Sequence, residues 1–280
     1  MREQTTTITT SDGLKLHVSV WLPDAAPQGI VLLAHGVAEH AGRYRHVAAR
    51  LTDAGCAVYA PDHRTHGRSD GQPRVYITDF QQVAADLLPA LTLAQAEHPG
   101  LPVFIYGHSM GSFVATLFAL EHQQMLSGFV SSGSPLLIDT IVPPLIVAAA
   151  GLLAALTPRL PVVDLELETI SRDAAVVAAY LADPYCAPGK IKAGMGYAYL
   201  KALRPARARL GELRLPLLAL HGAADTIAPP GGSELLHNQA SSADKTLKLY
   251  PGLYHEIHNE PEQAQVLDDI CGWLRARLGG

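Results

Sequence analysis

Three side chains in this sequence have the types and the order that acyl transfer requires: Ser109, Asp225 and His255. Ser109 lies in Gly107-His108-Ser109-Met110-Gly111, between the β-branched and aromatic run Val103 to Tyr106 and an apolar pattern of helical spacing that reaches Leu120. A serine at a strand-to-helix joint, with glycine two residues to either side, has the form of a nucleophile elbow, whose strained turn only small neighbours tolerate. The pentapeptide alone is weak, because the same serine could simply cap the helix that follows.

A serine hydroxyl needs a base within hydrogen-bond reach, and that base needs a carboxylate to orient it. LLALHGAADTIAPP places Asp225 just after a buried apolar run, and LKLYPGLYHEIHNE places His255 just after the next one. Taken singly, Asp225 could be a turn residue holding loop amides, and His255 a half-buried ring bonded to a carbonyl. Taken together, they are the two partners the serine lacks. The developing oxyanion also needs donors, and the backbone N–H of Met110 is one. The second should come from IVLLAHGVAEHAGRY, where Val37 follows the His35-Gly36 turn. His35 itself reads as a structural ligand of loop carbonyls.

Those loops must be carried by a scaffold. Thr5 to Leu22 reads as a hairpin around Ser11-Asp12-Gly13, with Leu14, Leu16, Val18, Val20 and Leu22 at period two. Apolar runs at Ile30 to Ala34, Ala57 to Ala60, Val103 to Tyr106, Gly128 to Ser131, Pro216 to Leu220 and Thr246 to Tyr250 then alternate with helical patterns. One such pattern is Tyr44, Val47, Ala48 and Leu51; another runs from Ile77 through Phe80 and Leu87 to Leu91; Val266 to Leu278 forms a closing helix. The alternation predicts βα units on a mostly parallel sheet with helices on both faces. The rhythm breaks at 136–211, which is alanine-rich, proline-broken and without a convincing strand. It is expected to be a helical cap inserted between core parts 1–135 and 212–280, above the sheet edge where ligands bind.

The bulk properties exclude other functions. With 21 basic and 26 acidic residues and no block of like charge, nucleic acid is a poor partner. Cys56, Cys186 and Cys271 have no CxxC spacing, and the polar start MREQTTTITTSDG lacks a secretory apolar segment, so a cytoplasmic protein is expected. Leu145 to Thr157 is too short to span a bilayer. The histidine-rich stretches Asp62 to His66 and His255 to His258 fit no metal template, and no dinucleotide or phosphate loop occurs, so neither metal nor cofactor is expected.

Five stretches, HGVAEHAGRY, DHRTHGRS, GHSMGS, HGAAD and YHEIHNE, together resemble the monoacylglycerol lipase and lysophospholipase branch of the α/β-hydrolases over nearly the whole chain. The resemblance implies the α/β-hydrolase fold, with Ser109 as nucleophile, Asp225 and His255 as its partners, and Val37 and Met110 as oxyanion donors. It further implies that Glu39, Arg43 and His258 form a polar layer below the site that helps to bind substrate; a surface ion pair is an equally good account of Glu39 and Arg43. AAYLADP resembles the family segment whose tyrosine meets the glycerol end of the substrate, which points to Tyr180. Ala38, Thr65 and Ser112 stand where the family has glycine, which puts local backbone geometry and substrate preference in question. The implied reaction is hydrolysis of a lipid-like ester without a cofactor. Pro144 to Thr157 would line an acyl tunnel and touch a membrane or micelle transiently with its outer face. A lysophospholipase or general carboxylesterase would use the same three residues, and a ligand-binding protein on this fold would need none of them.

Overall fold

The computed structural model describes residues 1–278 of the chain. The polypeptide opens with an antiparallel hairpin of β1 (Arg2–Thr9) and β2 (Lys15–Leu22), then alternates. β3 (Gly29–Ala34) is followed by α1 (Arg45–Asp53), β4 (Cys56–Pro61) by α2 (Phe80–Ala85) and α3 (Leu87–Glu97), and β5 (Val103–His108) by α4 (Met110–His122). β6 (Gly128–Ser132) leads into the segment that carries α5 (Pro144–Leu156), β7 (Pro161–Val163), α6 (Ala174–Ala182), β8 (Ile191–Lys192) and α7 (Ala193–Arg209). The chain returns through β9 (Leu217–Gly222), α8 (Gly231–Gln239), β10 (Lys245–Tyr250) and α9 (Gln263–Leu278).

Eight strands form one sheet in the order β1-β2-β4-β3-β5-β6-β9-β10. β2 runs antiparallel to both β1 and β4, and the remaining pairings are parallel. All six expected runs are strands of this sheet. Side chains of a strand alternate between faces, and β3 shows the result. Ile30 and Leu32 join the core beneath α2, α3, α4 and α7, whereas Val31 and Leu33 join the core beneath α1 and α9. Both faces are therefore covered, which explains why the central strands read as continuous apolar runs rather than alternating ones.

Two expectations need correction. The pattern from Ile77 to Leu91 is not one helix: it divides at Asp86, because Pro89 has no N–H to give the Ala85 carbonyl four residues back. The segment 136–211 is not strandless either, since β7 and β8 pair antiparallel. At three and two residues they are too short to leave a period-two signature.

Candidate active site

Ser109 follows β5 directly and adopts φ 53°, ψ −125°, a strained conformation that persists only where the surroundings hold it. Its N–H donates to the Ser132 carbonyl at 2.9 Å, and its own carbonyl accepts from the N–H of Ser112 at 2.8 Å and of Phe113 at 3.2 Å. The flanking glycines act by yielding space. A Cβ on Gly107 would lie 2.4 Å from the Gly111 carbonyl oxygen, and one on Gly111 would lie 2.0 Å from that of Ala34. Helix α4 thus presses against the end of β3 and carries Ser109 with it. The hydroxyl makes no capping bond to α4; it donates to His255 Nε2 at 2.7 Å.

His255 lies beyond β10 and Asp225 beyond β9, both at the carboxyl edge of the sheet. His255 Nδ1–H donates to Asp225 Oδ2 at 2.6 Å. Burial opposes charging this ring, but the Asp225 carboxylate beside it outweighs burial and holds its pKa above the ordinary histidine value. For Asp225, burial works upward, and the charge of His255 with hydrogen bonds from His221 and His255 brings its pKa well below the carboxylate range. Asp225 Oδ1 accepts from the N–H of Ile227 at 2.8 Å and of Ala228 at 3.0 Å, so its orientation is fixed from two sides. His255 lies 30 residues from Asp225 and 146 from Ser109 along the chain; the fold brings the three into one hydrogen-bonded line.

Val37 and Met110 border the same cavity as Ser109, and their backbone N–H groups have no acceptor among the described residues. The loop before Val37 is held from below. Gly36 N–H donates to Glu39 Oε1 at 2.6 Å, and Tyr44 donates its hydroxyl to the same oxygen at 2.7 Å. Arg43 bonds Glu39 and makes a bidentate pair with Glu256 at 2.7 Å and 2.7 Å. Glu39 and Glu256 are buried and the Arg43 side chain is only 10% exposed, so the surface ion pair is not what forms. Arg43 and His258 line neither chamber of the cavity, which leaves them the expected place below the site but no direct contact with a bound substrate. His258 stacks on Tyr44 with ring centroids 4.9 Å apart and supports the site from below. Glu39 does line the recess next to Ser109. Glu256 completes the network and was missed by reading the motifs; its signal was its place beside His255.

Tyr180 also lines that recess, yet its hydroxyl donates to the Ala38 carbonyl at 2.9 Å. The Ala187 N–H donates to the same oxygen at 3.0 Å, and Arg43 lies 4.7 Å above the Tyr180 ring. Ala38 and Thr65 have φ of 60° and 66°, so two of the three glycine replacements sit in the left-handed region where glycine is the unstrained choice. Ser112 does not: it lies within α4, and its hydroxyl pairs with that of Ser131 at 2.7 Å.

His35, His63 and His66 hold loops rather than facing the cavity. His35 Nδ1–H donates to the Gly36 carbonyl at 2.7 Å, and its Nε2 accepts from His63 N–H at 2.9 Å. Burial, then the neighbouring His66, depresses His63 to about 3, and burial depresses His66 to about 4. His40, Asp183 and Cys186 bring three ligand-type atoms within 4.8 Å of one another. Both ring nitrogens of His40 are already engaged there, Nε2 donating to Asp183 at 2.9 Å and Nδ1 accepting from Gly42 N–H at 3.2 Å.

Above Ser109 opens a cavity of about 470 Å3 with apolar walls. Ile146, Ala150 and Leu153, spaced as one stripe of α5, form part of its roof. Leu145, Leu152 and Leu156 point outward and are 81%, 63% and 72% exposed. Among the described residues no helix is long and apolar enough to cross a membrane.

The family described as serine aminopeptidase S33, Hydrolase_4, matches residues 25–262. The monoacylglycerol lipase of Mycolicibacterium smegmatis is 44% identical over 266 residues, covering 95% of this chain and 95% of that protein. The monoglyceride lipase of Rattus norvegicus is 35% identical over 272 residues, covering 96% of this chain and 89% of its own. Among solved structures, the monoacylglycerol lipase of Paleococcus ferrophilus superposes with a TM-score of 0.76 at 29% identity, over 99% of this chain and 100% of that one. Fold, family match and full-length relatives agree, and the chain belongs to the Hydrolase_4 (serine aminopeptidase, S33) family of the α/β-hydrolases.

Proposed function

We propose that the protein is a serine ester hydrolase of monoacylglycerols, with Ser109 as nucleophile, His255 as its base, Asp225 as the carboxylate that orients His255, and the N–H groups of Val37 and Met110 as oxyanion donors. The observation that carries this reading is the line from Ser109 through His255 to Asp225, at 2.7 Å and 2.6 Å, ending in the floor of the apolar cavity. His255 takes the hydroxyl proton as Ser109 Oγ attacks the acyl carbonyl. The carbonyl oxygen gains negative charge at the two free N–H groups, where one donor is typically worth about 10² to 10³ in rate. His255⁺ then protonates the departing glycerol oxygen, leaving an acyl-enzyme on Ser109. Water, deprotonated by His255, attacks that ester and releases the fatty acid.

The two chambers support the substrate class. The large one takes an acyl chain, and the small recess beside Glu39 and Tyr180 takes the alcohol. Among the described residues no lysine or arginine borders either chamber, and Arg43 is already paired to two carboxylates. A neutral glycerol therefore fits the recess better than the phosphate of a lysophospholipid. Residues 136–211 act in this reading as a cap between core parts 1–135 and 212–280, and the outward leucines of α5 dip transiently into the membrane or micelle that holds the substrate. Three unpaired buried cysteines suit a cytoplasmic setting.

Fluorophosphonate labelling tests the nucleophile: wild type should label and Ser109→Ala should not. Equal labelling of both would refute it. Hydrolysis rates for monoacylglycerols, lysophospholipids and nitrophenyl esters test the substrate, and a preference for the charged headgroup would replace the glycerol reading with a lysophospholipase.

A further inference from the structure

Asp225 carries a second histidine. His221, in β9 and fully buried, points Nε2 at two acceptors, Asp225 Oδ2 at 2.9 Å and the Ala228 carbonyl at 3.0 Å. That nitrogen must therefore hold the proton. His221 Nδ1 is then the acceptor, and the Ser233 hydroxyl in the first turn of α8 donates to it at 2.7 Å. Ser233 and His221 form an arm on Asp225 Oδ2 that mirrors Ser109 and His255, except that it is sealed from the cavity.

We infer that His221 is a positioning residue for the hydrolytic reaction: by donating to the oxygen that His255 also uses, it fixes the Asp225 carboxylate and tempers its pull on the His255 proton. This rests on the catalytic roles proposed above. With Ile227 and Ala228 N–H on Oδ1, the carboxylate has four donors, and each draws charge from it. Without the His221 donor, Asp225 is more basic, the imidazolium of His255 is better stabilised, and the base loses its proton only at higher pH. The other groups facing His255 are the Glu39 and Glu256 carboxylates, both paired to Arg43, and the rings of His108 and His258, kept neutral by burial. None of them bonds Asp225, so their influence is common to all the variants below.

The experiment is the pH profile of kcat/KM on a medium-chain nitrophenyl ester for wild type, His221→Phe, His221→Gln, Ser233→Ala and Asp225→Asn, with Tm measured for each. His221→Phe should move the acid limb upward by about one pH unit, the scale of one charge-assisted hydrogen bond, which is about a tenfold loss below the limb with little change above it. His221→Gln keeps a donor and should restore most of the shift. Ser233→Ala, which weakens the donor without removing it, should shift the limb in the same direction by less, and it decides the matter if His221→Phe does not fold. A uniform loss at every pH, or an unmoved limb in a folded variant, overturns the inference. Those results with an inactive Asp225→Asn leave the catalytic reading standing; an Asp225→Asn enzyme with the wild-type profile overturns that reading as well.

Discussion

The floor of the cavity and its roof are built on opposite terms. In the floor, Ser109, Asp225, His255, Glu39 and Glu256 are all buried, and each of these side chains makes a hydrogen bond to another protein group. In the roof, α5 is apolar on both its inner and outer faces, and its largest side chains meet solvent. A buried polar group without a partner costs about 1 to 3 kcal/mol, so the floor can keep its charges only by tying each one down. An exposed leucine forgoes a burial worth about 1.5 to 3 kcal/mol, so the roof stays short of its most stable state until something apolar covers it. The proposed chemistry lies where each of those polar side chains is tied to another group, and the proposed substrate capture where apolar contact is still to be made.

Substitutions that strike the floor should cost turnover or stability, and those on the outer face of α5 should change only where turnover happens. Ser109→Ala removes the attacking atom and should lower kcat/KM by about 10⁴ to 10⁶, measured on a nitrophenyl ester. Asp225→Asn keeps the shape but loses the charge and the correct His255 tautomer, and should cost about 10⁴ in kcat at neutral pH. Arg43→Met leaves Glu39 and Glu256 buried and facing each other, and should destabilise the fold by about 3 to 5 kcal/mol, read as a Tm lowered by roughly 10 °C. In the roof, Leu145→Glu with Leu152→Glu should weaken binding to neutral lipid vesicles by about tenfold or more, while hydrolysis of a water-soluble short ester is unchanged. Equal losses on both substrates would mean the outer face also shapes the floor.

The smallest effect is on pH. Activity needs His255 neutral, so kcat/KM should fall as pH drops through a value raised above the ordinary 6.5 by Asp225. Stability has the opposite sign for this group. Because its folded pKa is raised, its contribution is complete below the unfolded value and is lost as pH rises through the folded one. Urea melts of wild type and His255→Gln across that window should show the difference shrinking toward alkaline pH.

Most of the scaffold was legible because parallel strands buried on two faces leave apolar runs, and the three reactive residues follow three of those runs. The elbow glycines were legible by position, but their reason was not: Gly111 is required by the Ala34 carbonyl, a contact between β3 and α4 that no local pattern contains. The same holds for Tyr180. Its motif indicates a residue at the alcohol end, while the bond from its hydroxyl to Ala38 depends on how α6 docks on a loop 142 residues away. Glu256 and His221 stood beside recognised motif residues, yet a glutamate and a histidine acquire their roles only from what they face. Ser112 shows the reverse, a departure from the family pattern at a helical position where the backbone needs no glycine and Ser131 takes up the hydroxyl.

The Ala38 carbonyl, held by Tyr180 and Ala187, makes the roof part of the reaction centre. Ala38 is the neighbour of Val37, whose amide is the oxyanion donor proposed for that loop. Anyone who exchanges 136–211 for the corresponding segment of a relative, to alter chain-length preference, will also be altering the rate constant of the chemical step. Chimeras that preserve those two donors should change selectivity cleanly, and chimeras that lose them should be slow on every ester offered.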